Sequence, residues 1–209
     1  MKIKRTAALL TAAVMAASSF TGCAGDSSTI TVISREPGSG TRGAFTELMG
    51  IAVDDVDNTV ATAEISNSTS VVIQSVAGNE NAIGYISLGS LSSDVKAVSV
   101  DGVEATVDNI VGGIYKVSRP FNIATKEDIS DLAADFVSYI MSADGQAIIE
   151  NKGYIKVYDN GAYTPSGLEG TIVVAGSTSV APVMEVLADE YKKLNSGVTI
   201  EIQQTGSSA

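Results

Sequence analysis

Twice in this chain an apolar, β-rich run breaks into a glycine- and hydroxyl-rich turn and then restarts with helical spacing. This unit constrains the fold more than any other feature. The first run, Thr29-Ile30-Thr31-Val32-Ile33, enters Ser34-Arg35-Glu36-Pro37-Gly38-Ser39-Gly40-Thr41-Arg42-Gly43 and then a helix through Phe45, Leu48 and Met49. The second, Thr171-Ile172-Val173-Val174-Ala175, enters Gly176-Ser177-Thr178-Ser179-Val180-Ala181-Pro182 and a helix with Val183, Leu187, Tyr191 and Leu194 on one face. Pro182 suits a first helical turn, where its missing N–H costs nothing. A third Gly/Ser turn, Thr205-Gly206-Ser207-Ser208, follows the alternating strand Val198-Thr199-Ile200-Glu201-Ile202. A strand, a tight turn and a helix N-terminus together make an anion cradle. The first-turn N–H groups lack intrahelical acceptors and carry the positive end of the helix dipole. Glycine lets the backbone approach an anion closely, and an arginine such as Arg35 offers a planar fork suited to oxyanions. A single such turn is ordinary αβ-loop chemistry. Three of them, two opening helices and one carrying an arginine, point to a binding site.

Composition removes several other functions. The chain has no histidine, which excludes Ser-His-Asp and Cys-His catalysis and any histidine-ligated metal within it. No Gly-Lys-Ser/Thr follows the glycines, so there is no Walker-type phosphate loop. The acidic residues are scattered, with no paired-carboxylate or metal-ligating motif, and no cofactor is implied. The formal net charge of −11 argues against nucleic-acid binding. An anion site on such a surface works by short-range hydrogen bonds against an unfavourable long-range field.

The N-terminus reads as a targeting segment. Lys2, Lys4 and Arg5 precede a stretch of apolar and small residues too short and too weakly hydrophobic for a membrane span. It ends at Phe20-Thr21-Gly22-Cys23. Small residues before a cysteine resemble the bacterial lipobox, which implies cleavage before Cys23 and lipidation of it. Cys23 is the only cysteine, so disulfide and zinc frameworks are excluded by count. Residues 1–22 are thus expected to be a lipoprotein signal peptide and residues 23–28 a flexible tether.

Strands and helices alternate further along, which argues for an α/β protein. Residues 81–87 read as a strand. Residues 97–100 and 103–106 flank Asp101-Gly102, a hairpin signal, and residues 119–125 read as extended. A helix is predicted from near Asp128 or Ser130, burying Leu132, Phe136, Val137 and Ile140. Ser142-Ala143-Asp144-Gly145 punctuates before a second short helix over residues 146–151. Residues 158–169, with Gly161, Pro165 and Gly167, form a polar linker. The chain stops on a turn after an apolar strand, from which an incomplete C-terminus is expected.

Several of these segments together resemble one family: "SREPGSGTRGAF", "NAIGYISLG", "RPFNIATK", "FVSYIMSADGQAIIENKGYIKV" and "GTIVVAGSTSVAPVMEVLADEYKKLNSGVTIEIQQTGSSA". They are similar to the phosphate-binding proteins of bacterial high-affinity phosphate ABC transporters, over most of the chain from Thr29 onward. The resemblance implies a periplasmic-binding-protein-like (type II) fold, two α/β lobes closing on one anion. Residues 29–118 would belong to one lobe and residues 119–209 to the other. In the family's common arrangement the Gly-Ser-Thr-Ser-Val segment precedes the Gly-Ser-Gly-Thr-Arg segment. Here the order is exchanged, which resembles a circular permutation joined through residues 158–169; a tandem or chimeric gene would look the same. Carried over by position, the resemblance implies phosphate ligands at Arg35, Ser39, Gly40 and Thr41 from one lobe and at Thr178, Ser179 and Ser207 from the other. Arg42 would reach the anion or pair with an acid at the rim, and Glu36 would lie at the rim. The implied protein is a lipid-anchored extracytoplasmic binding protein, not an enzyme, whose partners are inorganic phosphate and a transporter permease. Another oxyanion (sulfate or molybdate) and an enzyme acting on phosphate esters are the rival readings.

Overall fold

The computed structural model describes residues 29–158 and 160–205; the predicted signal peptide, the tether with Cys23, and Ser207 lie outside the described residues. Two parallel sheets organise the chain. The first has the order β4-β1-β5, with β1 (Thr31–Arg35) between β4 (Glu64–Ser66) and β5 (Ala82–Gly84). Its register pairs Arg35 with Ser66 and Ile33 with Gly84. The second joins β6 (Gly170–Gly176) to β7 (Val198–Gln204), with Gly176 opposite Gln204. A parallel pair needs a crossover, and helices supply it. α2 (Thr69–Ala77) connects β4 to β5, and α6 (Ala181–Leu194) connects β6 to β7.

Parallel pairing places the carboxyl ends of neighbouring strands at one edge of their sheet, where ligands of open α/β sheets bind. In the first sheet, β1 ends in the turn that opens α1 (Gly40–Leu48), β4 ends just before α2, and β5 ends just before Tyr85. In the second, β6 ends in the turn before α6. A small antiparallel hairpin, β2 (Ala52–Val53) and β3 (Val56–Asp57), follows α1.

The apolar core gathers on the second sheet. α4 (Asp131–Met141) and α5 (Ala143–Asn151) pack with α6 through Leu132, Phe136, Tyr139, Ile140, Leu187 and Tyr191. Burying each large apolar side chain there stabilises the fold by about 1.5–3 kcal/mol. Ser130 caps α4 by accepting from the Ala133 N–H, and Ser142 caps α5 by accepting from the Gly145 N–H. Gly145 is required by packing, because a Cβ there would lie 2.3 Å from the Tyr139 carbonyl oxygen.

The structure differs from the sequence-based expectations in five places. The expected strand over 81–87 stops at Gly84, and a short α3 (Val107–Val111) falls in a region read without a helix. The expected hairpin around Asp101-Gly102 keeps its turn, with φ of 52° and 78°, but its arms shrink to a single Val100–Val103 bridge. The α5 helix begins at once after Ser142, so one residue rather than four separates it from α4. Leu194 is 48% exposed, at the frayed end of the α6 stripe. The helix expected from Asp128 or Ser130 is present, with Leu132, Phe136 and Ile140 buried and Val137 half-buried.

Candidate functional site

Arg35 is the most telling buried side chain, at 1% exposure on the last position of β1. A buried charge must be paired and hydrogen-bonded. Glu36 does most of this: its carboxylate accepts from Arg35 Nε at 2.8 Å and from Nη2 at 2.9 Å. Arg35 Nη1 donates to the Thr69 hydroxyl at 3.2 Å. A guanidinium has five N–H groups; these bonds leave one on each terminal nitrogen. Behind the strand, the Tyr85 hydroxyl accepts from the Arg35 N–H at 3.0 Å and pairs with Ser34 Oγ at 2.8 Å. Tyr85 is itself stacked on Phe45 of α1, with centroids 4.1 Å apart.

The turn after β1 follows the cradle logic. Gly38 takes φ 85°, a left-handed conformation that glycine adopts without cost. Ser39 is the N-cap of α1, and its hydroxyl accepts from the Arg42 N–H. Gly40 and Thr41 are then the first helical residues, whose N–H groups have no intrahelical acceptor. Arg42 turns away from the cradle. Its Nε donates to Asp57 at 2.7 Å and its Nη1 to the Arg35 carbonyl at 2.6 Å. Hydrogen bonds from Thr59 first, and then from Arg42, hold the Asp57 carboxyl down at about 2. Of its two expected roles, Arg42 therefore takes that of a partner to an acid.

The second turn meets the first directly. Thr41 Oγ1 donates to Ser179 Oγ at 3.0 Å, across 138 positions of sequence. Thr178 Oγ1 lies 3.3 Å from Thr69 Oγ1, so the guanidinium, α2 and the second turn share one hydrogen-bond chain. Ser179 is fully buried, and its hydroxyl also pairs with Ser177 Oγ at 2.9 Å. The helix behind this turn begins at Ala181, with Val180 as N-cap, so Thr178 and Ser179 belong to the loop.

The structure thus brings Arg35, Ser39, Gly40, Thr41, Thr178 and Ser179 to one place, while Ser207 lies outside the described residues. Glu36 is not a free rim residue, since it neutralises Arg35. Thr69, Tyr85, Ser177 and Tyr154 escaped the sequence reading. The signal for Thr69 was present in Asn67-Ser68-Thr69-Ser70, a hydroxyl-rich opening to an apolar run. Hydroxyl donors, first-turn N–H groups and one neutralised arginine can bind an oxyanion without placing net positive charge in the site. Among the described residues no group of three or more metal-ligating side chains occurs. A groove of about 590 Å³ between α5 and α6 is lined by Tyr139, Ile148, Val186 and Leu194 among others and lies apart from this convergence.

The chain resembles known proteins over most of its length. A family model described as "PBP superfamily domain" matches residues 16–144. The chain is 47% identical over 218 aligned residues to phosphate-binding protein PstS 2 of Streptococcus agalactiae, covering 99% of this chain and 74% of that one. It is 51% identical to phosphate-binding protein PstS 2 of Streptococcus pneumoniae, covering 88% of this chain and 65% of that one. Among solved structures, a phosphate-binding protein of a phosphate ABC transporter from S. pneumoniae matches with a TM-score of 0.69 at 51% identity, over 86% of this chain and 72% of that one. A putative phosphate ABC transporter substrate-binding protein with bound phosphate, from Clostridium perfringens, matches with a TM-score of 0.56 at 43% identity, over 61% and 52%.

Proposed function

The chain belongs to the PBP superfamily, and within it to the family of the streptococcal phosphate-binding proteins, and on that premise we propose that it captures inorganic phosphate outside the cytoplasm for an ABC transporter permease. The observation that carries this reading is the hydrogen-bonded meeting of Gly40-Thr41 with Thr178-Ser179 beside Arg35. A phosphate there would receive the N–H groups of Gly40, Thr41 and Ser179, the hydroxyls of Ser39, Thr41 and Thr178, and the two remaining N–H groups of Arg35. Ser207 would add a hydroxyl from the turn after β7. The turns contact each other through their own hydroxyls, which phosphate oxygens would replace as acceptors. Arg35 and Glu36 cancel in charge, so a dianion is held by dipoles in a site shielded from water, where each is worth more than in solvent. Binding and release need no chemical step, and no enzymatic activity is assigned.

The lipid anchor at Cys23 is part of the same proposal, as is the permuted segment order. The order is supported by the reach of the matches. The S. pneumoniae structure aligns over 86% of this chain and that of C. perfringens over 61%, a difference expected if only the first shares the order. Calorimetric titration of the full chain with phosphate and with sulfate at neutral pH tests the function. One phosphate bound per chain is the expected result. Preferential sulfate binding, or no phosphate binding, would overturn it.

A further inference from the structure

The segment Lys152-Gly153-Tyr154 after α5 is far from both cradles in sequence, yet its tyrosine ends at one of them. Gly153 takes φ 79° and reverses the chain out of α5. Tyr154, 8% exposed, then points its hydroxyl at the Ser179 carbonyl and donates to it at 2.8 Å. Ser87 Oγ approaches the same carbonyl at 3.5 Å and pairs with Ser90 Oγ at 3.0 Å. The ring lies flat on Gly89, where a Cβ would fall 2.4 Å from the Tyr154 Cζ. Burial pushes the phenol pKa up, partly offset by the Ser90 and Ser87 hydroxyls, so it remains an O–H donor at neutral pH.

This bond matters because of what the carbonyl would otherwise do. The Ser179–Val180 peptide sits at the entrance to α6, and its oxygen carries partial negative charge. Rotation of that peptide would turn an acceptor toward a bound oxyanion and break the bond from the Val180 N–H to the Ser177 carbonyl, 3.0 Å, which closes the Thr178-Ser179 turn. Two hydroxyl donors drawn from the 87–90 segment and from residue 154 tie the oxygen back. We propose that Tyr154 is a positioning residue for oxyanion binding, acting through the Ser179 carbonyl to keep the donors of the Thr178-Ser179 turn facing the Gly40-Thr41 turn. The inference rests on the phosphate-binding reading above and goes beyond it by naming what holds the second cradle in place.

Tyr154→Phe in the full chain removes the hydroxyl and keeps the ring over Gly89. Calorimetry should give about tenfold weaker phosphate binding, the scale of one lost hydrogen bond in an otherwise intact site. Amide NMR supplies the readout that a purely structural role would not move. The phosphate-induced shift at Ser179 should shrink while that at Gly40 persists. Ser87→Ala, which removes the second donor to the same carbonyl, should weaken binding about threefold and provides the test if Tyr154→Phe does not fold. Wild-type phosphate binding that is unchanged in the folded variants, or equal shrinkage at Ser179 and Gly40, overturns the positioning role and leaves the phosphate reading standing. Absence of binding by the wild type overturns the reading itself.

Discussion

The two sheets differ in the balance of what they bury. Around β4-β1-β5 the buried residues are Ser34, Arg35, Ser39, Thr46, Ser66 and Thr69, with Ile33 and Val72 as the buried apolar partners. Around β6-β7 the buried set is mainly apolar, with Leu132, Phe136, Tyr139, Ile140, Ile172, Leu187, Tyr191 and Val198 outnumbering the polar Ser142, Gln146, Ser179 and Asn195, and with aromatic contacts such as Phe136 against Tyr191 at 5.0 Å. Burial of polar groups costs free energy unless every one is hydrogen-bonded, whereas burial of apolar groups drives folding. The first region therefore uses its interior for recognition and the second for stability. The cradle residues of the first region fall at the strand ends, and among the described residues the second contributes Thr178 and Ser179 from the loop at its sheet edge.

Two substitutions should separate these roles, and they carry the largest effects. Phe136→Ala should destabilise the fold by about 3–5 kcal/mol in denaturant unfolding, with phosphate affinity of the folded fraction nearly unchanged. Arg35→Ala should do the reverse, weakening phosphate binding by about 2–5 kcal/mol in calorimetry, as for truncation of a buried charge partner. Part of that loss would come from leaving the Glu36 carboxylate unpaired. If both variants lose stability and affinity in parallel, the division between the regions is wrong.

The second region also has one polar device of its own. Asp135 Oδ2 accepts from the hydroxyls of Tyr163, Tyr191 and Ser166, at 2.5, 2.6 and 2.9 Å, and so ties Tyr163 and Ser166 to α4 and α6. Burial pushes the Asp135 carboxyl up, but these three donors outweigh it and hold its pKa below the ordinary value. A group whose pKa is depressed on folding contributes stability above its unfolded pKa and loses it as pH falls through the folded one. Stability should thus fall in acid, below about pH 4, and Asp135→Asn should flatten that part of the pH profile. An unchanged profile would remove Asp135 from the account. The smallest effect is expected at the hairpin. Arg42 and Asp57 form a partly exposed ion pair, and Asp57→Asn should cost at most about 1 kcal/mol in thermal unfolding.

Much of the first cradle was legible because it is local. The strand, the turn carrying Ser39, Gly40 and Thr41, and the helix behind it follow from residue types over a dozen positions, although α1 begins at Gly40 rather than after Gly43. The buried stripe of α4 was legible for the same reason, since helical spacing marks Leu132, Phe136 and Ile140. What stayed hidden depends on pairing between distant segments. Thr69 looks like any helix-opening threonine until β4 is placed beside β1, with Ser66 opposite Arg35. Tyr154 looks like a core aromatic until its hydroxyl is found on Ser179. The Asp101-Gly102 turn formed as its residue types require, but its arms found no neighbouring strand beyond one bridge.

The central claim is that two turns 138 positions apart, at Thr41 and Ser179, bind one phosphate together. Amide NMR during a phosphate titration of the full chain tests it most directly. The account predicts that the Gly40 and Thr41 resonances and those of Thr178 and Ser179 move along one binding curve that saturates at one phosphate per chain. Movement of one pair without the other, or two curves with different midpoints, would contradict it.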